Sequence, residues 1–362
     1  MFLLYSFLFM SVLYGYVEWR LVSLLTVPLY IKIALSIILL PALLNLWIVL
    51  FFGNILPPWV SKVASFSQIL LVYLFTATFF LDLYRLFHPI YNHIPNILVI
   101  ICMFASIYAI WQAGRVPEIK HITLKTPLLS TKKEPLKIVQ LSDFHIGQGF
   151  DGVWLNKTIE KTNALNPDLI VITGDLIDNS PRVLGKELSQ LTKLKARLGT
   201  FIVFGNHEYY HHPQEWKNFF KKLNIPVLYN EHISLLHEGQ NITLGGIDFG
   251  AQYQEKRADD LLKETFNTAD NKSLRILLAH HPHVFKKTGP YNIFLQLSGH
   301  THGGMTFPVD VIVKLSNKGF LRGLYTTNKS HLYVSNGTGL WGGFPARIGT
   351  FNEITLITIK GE

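Results

Sequence analysis

The first 112 residues carry only six charged side chains, Glu18, Arg20, Lys32, Lys62, Asp82 and Arg85. Such a stretch lacks the polar residues a water-soluble domain needs to cover its surface. Its apolar residues fall into four runs, at 1–17, 29–52, 63–81 and 94–113. A helix needs about 20 residues to cross a hydrocarbon core roughly 30 Å thick. The last three runs meet that length, and the first sits at its short limit. No basic segment precedes the first run and no small-residue cleavage site follows it, so it does not read as a cleaved signal. It ends in Glu18-Trp19-Arg20, where tryptophan and arginine anchor at an interface. Residues 1–115 are therefore expected to form a transmembrane region of about four helices, with 116–136 as a linker or leading strand.

Gly53-Asn54 with Pro57-Pro58 separates the second and third runs, and His88-Pro89 the third and fourth. Pro41 is expected to kink the second helix, and Asn45 to bond a neighbouring helix. No acidic residue falls at a membrane centre, which argues against a proton-coupled transporter. With four spans, Lys62, Arg115, Lys120 and Lys125 lie near the membrane on the side of the C-terminal part, against Arg20, Lys32 and Arg85 opposite. Positive charge thus leans toward a cytoplasmic C-terminal domain, in a bacterial inner membrane. The orientation reverses if the first run does not span.

The remainder holds most of the chain's formal net charge of +9. A basic domain beside a membrane suits anionic head groups or phosphorylated substrates. No arginine-rich run is interleaved with aromatics, so nucleic acid is not expected as a partner. Cys102 is the only cysteine, which excludes an intrachain disulfide.

From residue 136 onward, strand-like and helical segments alternate. Residues 136–141, 168–173 and 200–204 read as strands, with helices at 155–165, 184–198 and 214–223. Further strands are expected at 242–247, 275–279, 293–297, 331–335 and 353–359. Five polar blocks follow such strands: Asp143-Phe144-His145, Gly174-Asp175-Leu176-Ile177-Asp178, Gly205-Asn206-His207-Glu208, His280-His281-Pro282 and Gly299-His300-Thr301-His302-Gly303-Gly304. In α/β folds, ligands gather beyond the carboxyl ends of strands, so these blocks can converge. They offer hard oxygen and imidazole donors and no thiolate, a set suited to divalent cations. Two adjacent cations are a common device for cleaving phosphate esters.

With these blocks in this order, the region from about Lys137 to the C-terminus resembles the calcineurin-like metallophosphoesterase family, in its membrane-associated bacterial form. The resemblance covers well over half of the chain. It implies a four-layer α/β/β/α sandwich over residues 137–362, with a dinuclear metal centre. It implies one ion held by Asp143, His145, Asp175 and His302. The other would be held by Asp175, Asn206, His280 and His300, with Asp175 bridging. His207 would be the catalytic, non-ligand histidine beside the scissile group. Two divalent metals, Mn, Fe or Zn, would supply a bridging hydroxide to attack phosphorus, cleaving a phosphodiester, pyrophosphate or phosphomonoester. With neutral Asn206 among the ligands, the centre keeps about one net positive charge to attract an anionic ester.

A lipid-linked ester is the substrate that the nearby membrane favours. A silent scaffold or a transporter with a regulatory hydrolase domain are the alternatives; no ligand is missing, which speaks against the first. Asp178 reads as a structural acceptor, and His281 and His283 as rim residues. His211 and His212 read as exposed loop side chains or substrate contacts. Arg347 reads as a phosphate clamp or half of a surface ion pair. Met305 stands where the family usually has glutamine, and Asn352 where it usually has proline.

Overall fold

The computed structural model describes residues 1–362 apart from 53–55, 148, 253–257 and 328–329. The chain divides into two compact units, Met1–Gly114 with Trp341–Ile348, and Arg115–Leu340 with Gly349–Glu362.

The first unit is helical, with long helices at Phe2–Arg20, Pro58–Arg85 and Ile94–Ala113. Among the described residues, four segments are long and apolar enough to cross a membrane: Leu3–Leu24, Leu29–Phe52, Trp59–Arg85 and Ile94–Ala113. The first reaches 22 residues, because the helix continues past the apolar run through Arg20. The second is broken, as Pro41 predicts. Helix Leu29–Leu39 gives way to a 3-10 turn at Leu40–Leu44, a short helical piece at Asn45–Trp47 and a π-turn at Ile48–Phe52. Proline lacks an N–H and crowds the preceding turn, so the regular ladder cannot pass through it. The turn expected at Gly53-Asn54 lies outside the described residues.

Asn45 is fully buried and bonds its neighbours as expected. Its Nδ2 donates to Gln68 Oε1 at 2.5 Å and to the Gly343 carbonyl at 3.1 Å. Asp82 accepts from Arg20 Nε at 2.8 Å and from the Tyr16 hydroxyl at 2.7 Å. Arg347 belongs to this unit, and its N–H donates to the Ala109 carbonyl at 3.0 Å. Its side chain is fully buried, which corrects the surface ion-pair reading.

The second unit contains two mixed sheets. The first has strands β1 (Glu118–Thr126), β2 (Leu136–Leu141), β3 (Leu169–Thr173), β4 (Thr200–Val203) and, at the chain's end, β11 (Glu353–Gly361). Their order is β1-β11-β2-β3-β4, with β2, β3 and β4 parallel. Of the two readings of 116–136, linker or leading strand, part of it is a strand, for β1 forms the sheet's edge against β11.

The second sheet has β5 (Glu231–His237), β6 (Gln240–Gly246), β7 (Leu274–Leu278), β8 (Ile293–Ser298), β9 (Gly323–Thr326) and β10 (His331–Val334), in the order β5-β6-β7-β8-β10-β9. One core joins the sheets face to face. Leu136, Ile138, Leu169, Val171 and Ile357 pack with Leu244, Ile276, Leu278, Leu295 and Tyr333.

Because strand side chains alternate, Val139, Leu141, Ile170 and Ile172 point the other way, yet they are equally buried. Helices cover that outer face: Gly152–Asn163 buries Trp154, Leu155 and Ile159, and Pro213–Lys222 buries Trp216 and Phe220. On the second sheet, helix Ala258–Phe266 packs Leu261, Leu262 and Phe266 against Ile247, Leu277 and Ile293. Helix, sheet, sheet and helix make the four layers that the resemblance implies.

Candidate metal centre

The first donor of each candidate block lies two or three residues past a strand. Asp143 follows β2, Asp175 follows β3, Asn206 follows β4, His280 follows β7 and His300 follows β8. Parallel strands end on the same side, so these blocks from both sheets arrive at one edge of the sandwich.

The backbone there is unusual. Asp143, His145, Asp175, His300 and His302 all have φ between 49° and 69°. Few residues other than glycine adopt that region, and it costs energy that the surrounding structure must offset. The Asp-x-His and His-x-His pairs therefore do not present side chains by simple strand alternation. Successive left-handed turns aim them inward. Glycines leave the necessary room: a Cβ on Gly205 would lie 2.2 Å from Asp175 Oδ1, and one on Gly299 2.2 Å from Asp143 Oδ2.

The donors form two sets that share Asp175. In one, His145 Nε2 lies 3.2 Å from His302 Nε2 and 3.8 Å from Asp175 Oδ2, and His302 Nε2 lies 3.8 Å from Asp143 Oδ1. In the other, His280 Nε2 lies 3.2 Å from both Asp175 Oδ2 and Asn206 Oδ1, and His300 Nδ1 lies 3.1 Å from Asn206 Oδ1. Donors bound at about 2.0–2.2 Å to one ion sit roughly 3.0–3.5 Å apart along the edges of its coordination shell. The spacings of 3.1 and 3.2 Å lie in that range, the two of 3.8 Å lie just beyond it, and Asp175 Oδ2 is common to both sets.

Neighbouring groups fix which nitrogens face the centre. Asp178 Oδ1 lies 2.9 Å from His145 Nδ1 and 2.5 Å from His207 Nδ1. Accepting the Nδ1–H of His145 leaves its Nε2 with a lone pair, and the same oxygen holds the His207 ring in place. The Thr173 carbonyl, 2.7 Å from His280 Nδ1, does the same for His280. The backbone N–H of His207 donates to Asp175 Oδ1, and that of His300 to Asp143 Oδ1, both at 2.9 Å.

Electrostatics divides the two central carboxylates. Burial pushes the Asp143 carboxyl up, and Asp175 beside it adds to the effect. Burial opposes ionisation of Asp175 as well, yet His280 and His207 hold it well below the usual carboxylate range. Burial alone would lower His207, but Asp175 and Asp178 outweigh it and push the imidazole up to about 9. A buried group of acids and imidazoles that lean on one another in this way fits cations as counter-charge.

The model of the calcineurin-like phosphoesterase family matches residues 136–304. An uncharacterized metallophosphoesterase of Campylobacter jejuni is 37% identical over 270 residues, which cover 73% of this chain and 69% of that protein. The chain belongs to the calcineurin-like metallophosphoesterase family. A transmembrane protein with metallophosphoesterase domain from Danio rerio is 33% identical over 273 residues, 72% of this chain and 62% of that protein. An uncharacterized metallophosphoesterase of Bacillus subtilis is 31% identical over 266 residues, 70% of this chain and 89% of that protein. The chain thus spans less than two thirds of the fish relative's length.

In this metallophosphoesterase all seven expected donors and His207 come together. Two residues matter more than their sequence context showed. Asp178 is the shared acceptor that orients His145 and His207. Glu208 is fully buried and accepts from the backbone N–H of Gly205 at 2.7 Å, Leu176 at 2.7 Å and Asp175 at 3.0 Å. One carboxylate thereby ties the Asp175 turn to the Asn206 turn. An acidic residue at the third position of a helix is a capping signal, and that signal was available in the sequence.

His281 stacks on His300 with ring centroids 3.7 Å apart, and His283 in turn packs on His281. His211 is only partly exposed and offers a nitrogen within 4.8 Å of donor atoms of Asp178 and His207, whereas His212 is exposed. Met305 is nearly buried and puts an apolar side chain beside the 299–304 block. Asn352 uses its side-chain amide to hold the Arg115 carbonyl at 2.9 Å, a bond that proline could not make.

Proposed function

We propose that this protein hydrolyses a phosphate ester at a dinuclear metal centre. Asp143, His145, Asp175 and His302 would hold one divalent ion, and Asp175, Asn206, His280 and His300 the other. The observation that carries the reading is Asp175 Oδ2, which both donor sets share. Mn, Fe and Zn all suit these nitrogen and oxygen donors. Such ions supply Lewis acidity to a phosphoryl group and to an attacking water.

The chain's own residues do the rest. Asp178 holds the His207 ring through Nδ1 and so sets the direction in which Nε2 points. From there His207 donates a proton to the leaving oxygen or a hydrogen bond to the phosphoryl oxygens. Asn206, a neutral donor, leaves the centre more positive than a third carboxylate would. Glu208 keeps the two turns from drifting apart.

The substrate class favoured is a lipid-linked phosphodiester or pyrophosphate in a bacterial inner membrane, with the catalytic unit on the cytoplasmic side. Support comes from the four apolar spans in the same chain. The test is hydrolysis of bis(p-nitrophenyl) phosphate by the full-length protein in detergent with Mn²⁺, set against Asn206→Ala and His207→Ala. The reading predicts turnover by the wild type and its loss in both variants. Turnover unaffected by either substitution contradicts it. Lipid profiling of cells carrying His207→Ala then identifies the ester, as the species that accumulates.

A further inference from the structure

One surface of the catalytic unit is apolar where a water-facing surface would be polar. The helix Val309–Ser316 begins five residues after Gly304 and buries none of its residues. Val311, Ile312 and Leu315 are exposed at 48%, 61% and 76%, and Phe307, just before the helix, at 51%. Val311, Ile312 and Leu315 stand at i, i+1 and i+4 and so share one face of the helix. A helix on a globular domain normally turns such a stripe inward. Helix Ala258–Phe266 in the same unit does so, with Leu261, Leu262 and Phe266 buried.

An outward apolar stripe marks a surface for another apolar phase. Lys314 and Lys318 are both exposed and give that surface a cationic border. The helix is also fixed to the site. A Cβ on Gly304 would lie 2.6 Å from Asp310 Cβ, so the turn that carries His302 packs directly on the first turn of this helix.

We propose that the Val309–Ser316 helix seats in the head-group layer of a phospholipid bilayer and brings the 299–304 block to lipid-borne phosphate esters. Apolar side chains on one face with lysines at the edge match an interface, where lysine stems lie along apolar surface and their ammonium groups reach anionic phosphates. A bilayer is favoured over a protein partner because the chain has four segments able to cross one. Tethering then gives the helix a high effective concentration of membrane surface without a second molecule. The inference deepens the lipid-linked reading and rests on it for substrate class, but the contact itself is tested separately.

The experiment uses the full chain in a Cys102→Ser background, with an environment-sensitive fluorophore on Leu315→Cys or, as control, on the exposed Leu236→Cys. The protein is placed in nanodiscs of phosphatidylethanolamine and phosphatidylglycerol with and without doxyl-labelled lipid. The expected result is blue-shifted emission at 315 that doxyl lipid quenches several-fold more than at 236. Equal, weak quenching at both positions overturns the proposal. So does a blue shift that ignores doxyl lipid and depends on the number of copies per disc, which indicates a second copy as the occupant.

A second arm compares wild type with Ile312→Asp/Leu315→Asp. The rate on a p-nitrophenyl ester of phosphatidic acid in vesicles is expected to fall on the order of tenfold. The rate on soluble bis(p-nitrophenyl) phosphate should stay within about twofold. Parallel loss on both esters overturns the docking role. Failure of the wild type on both defeats the hydrolase reading instead, and the quenching result still decides the membrane contact.

Discussion

The two units treat buried polar groups in opposite ways. In the helical unit buried hydroxyls bond the nearest backbone: Thr78 donates to the Leu74 carbonyl at 2.6 Å and Ser106 to the Cys102 carbonyl at 2.7 Å. Such bonds make a hydroxyl tolerable in an apolar surrounding and ask nothing from outside. In the catalytic unit the buried donors point at one another, as His145 Nε2 does at His302 Nε2 across 3.2 Å. Such an approach needs a proton on one ring or a cation shared by both. The contrast teaches that burial of polar residues is not itself a sign of function. What separates a site from packing is whether each group's demand is met locally.

Their surfaces are inverted too. The helical unit exposes Leu8, Phe9, Phe104 and Trp111, as lipid-facing helices do, while the catalytic unit buries most of its large apolar side chains. Among the described residues, the Val309–Ser316 helix gathers three exposed apolar side chains on one face, whereas Val153, Val183 and Leu236 lie apart on other elements.

Substitutions can break or sharpen this contrast. The largest effect is expected for Asp175→Asn, which removes the charge both donor sets share. Activity should fall by at least about a thousandfold and bound metal should drop, with circular dichroism unchanged. His207→Ala should cost roughly a hundredfold to ten-thousandfold in kcat while metal content stays at the wild-type level. That split, read by elemental analysis beside kinetics, separates the catalytic group from the ligands. Glu208→Ala leaves three buried N–H groups without their acceptor. It should destabilise the catalytic unit by about 3 kcal/mol or more, seen as a lower melting temperature. The smallest effect belongs to Asn45→Leu in the helical unit, about 1 kcal/mol in helix packing by detergent denaturation. Hydrolysis of a soluble ester should not change. If it falls as far as with His207→Ala, the two units are not distinguished in the way described.

Much of this was legible in the sequence, for identifiable reasons. The strands that carry the donors are buried on both faces, so 136–141, 168–173 and 200–204 stand out as apolar runs and were placed within a residue or so. The strands β5 and β9, which the sequence pattern does not reveal, and β1, which it leaves open between linker and leading strand, are edge strands with exposed, charged or polar residues and a weak pattern. The convergence of the donor blocks is readable because they keep family order. Asp178 reads as a structural acceptor and Glu208 sits at a capping position, but the particular nitrogens and N–H groups they meet depend on the fold. Left-handed turns at Asp143, His145, Asp175, His300 and His302 were also hidden, since aspartate and histidine do not announce a positive φ as glycine does. The Val309–Ser316 helix was missed because its apolar stripe is outward, and only the fold shows which way a stripe points.

The central claim is that Asp175 holds two ions together. Anomalous diffraction from crystals of the full-length protein loaded with Mn²⁺ tests it most directly. The account predicts two metal peaks roughly 3.5–4 Å apart, with the Asp175 carboxylate between them and His207 bound to neither. A single peak, or two peaks that Asp175 does not touch, would contradict it.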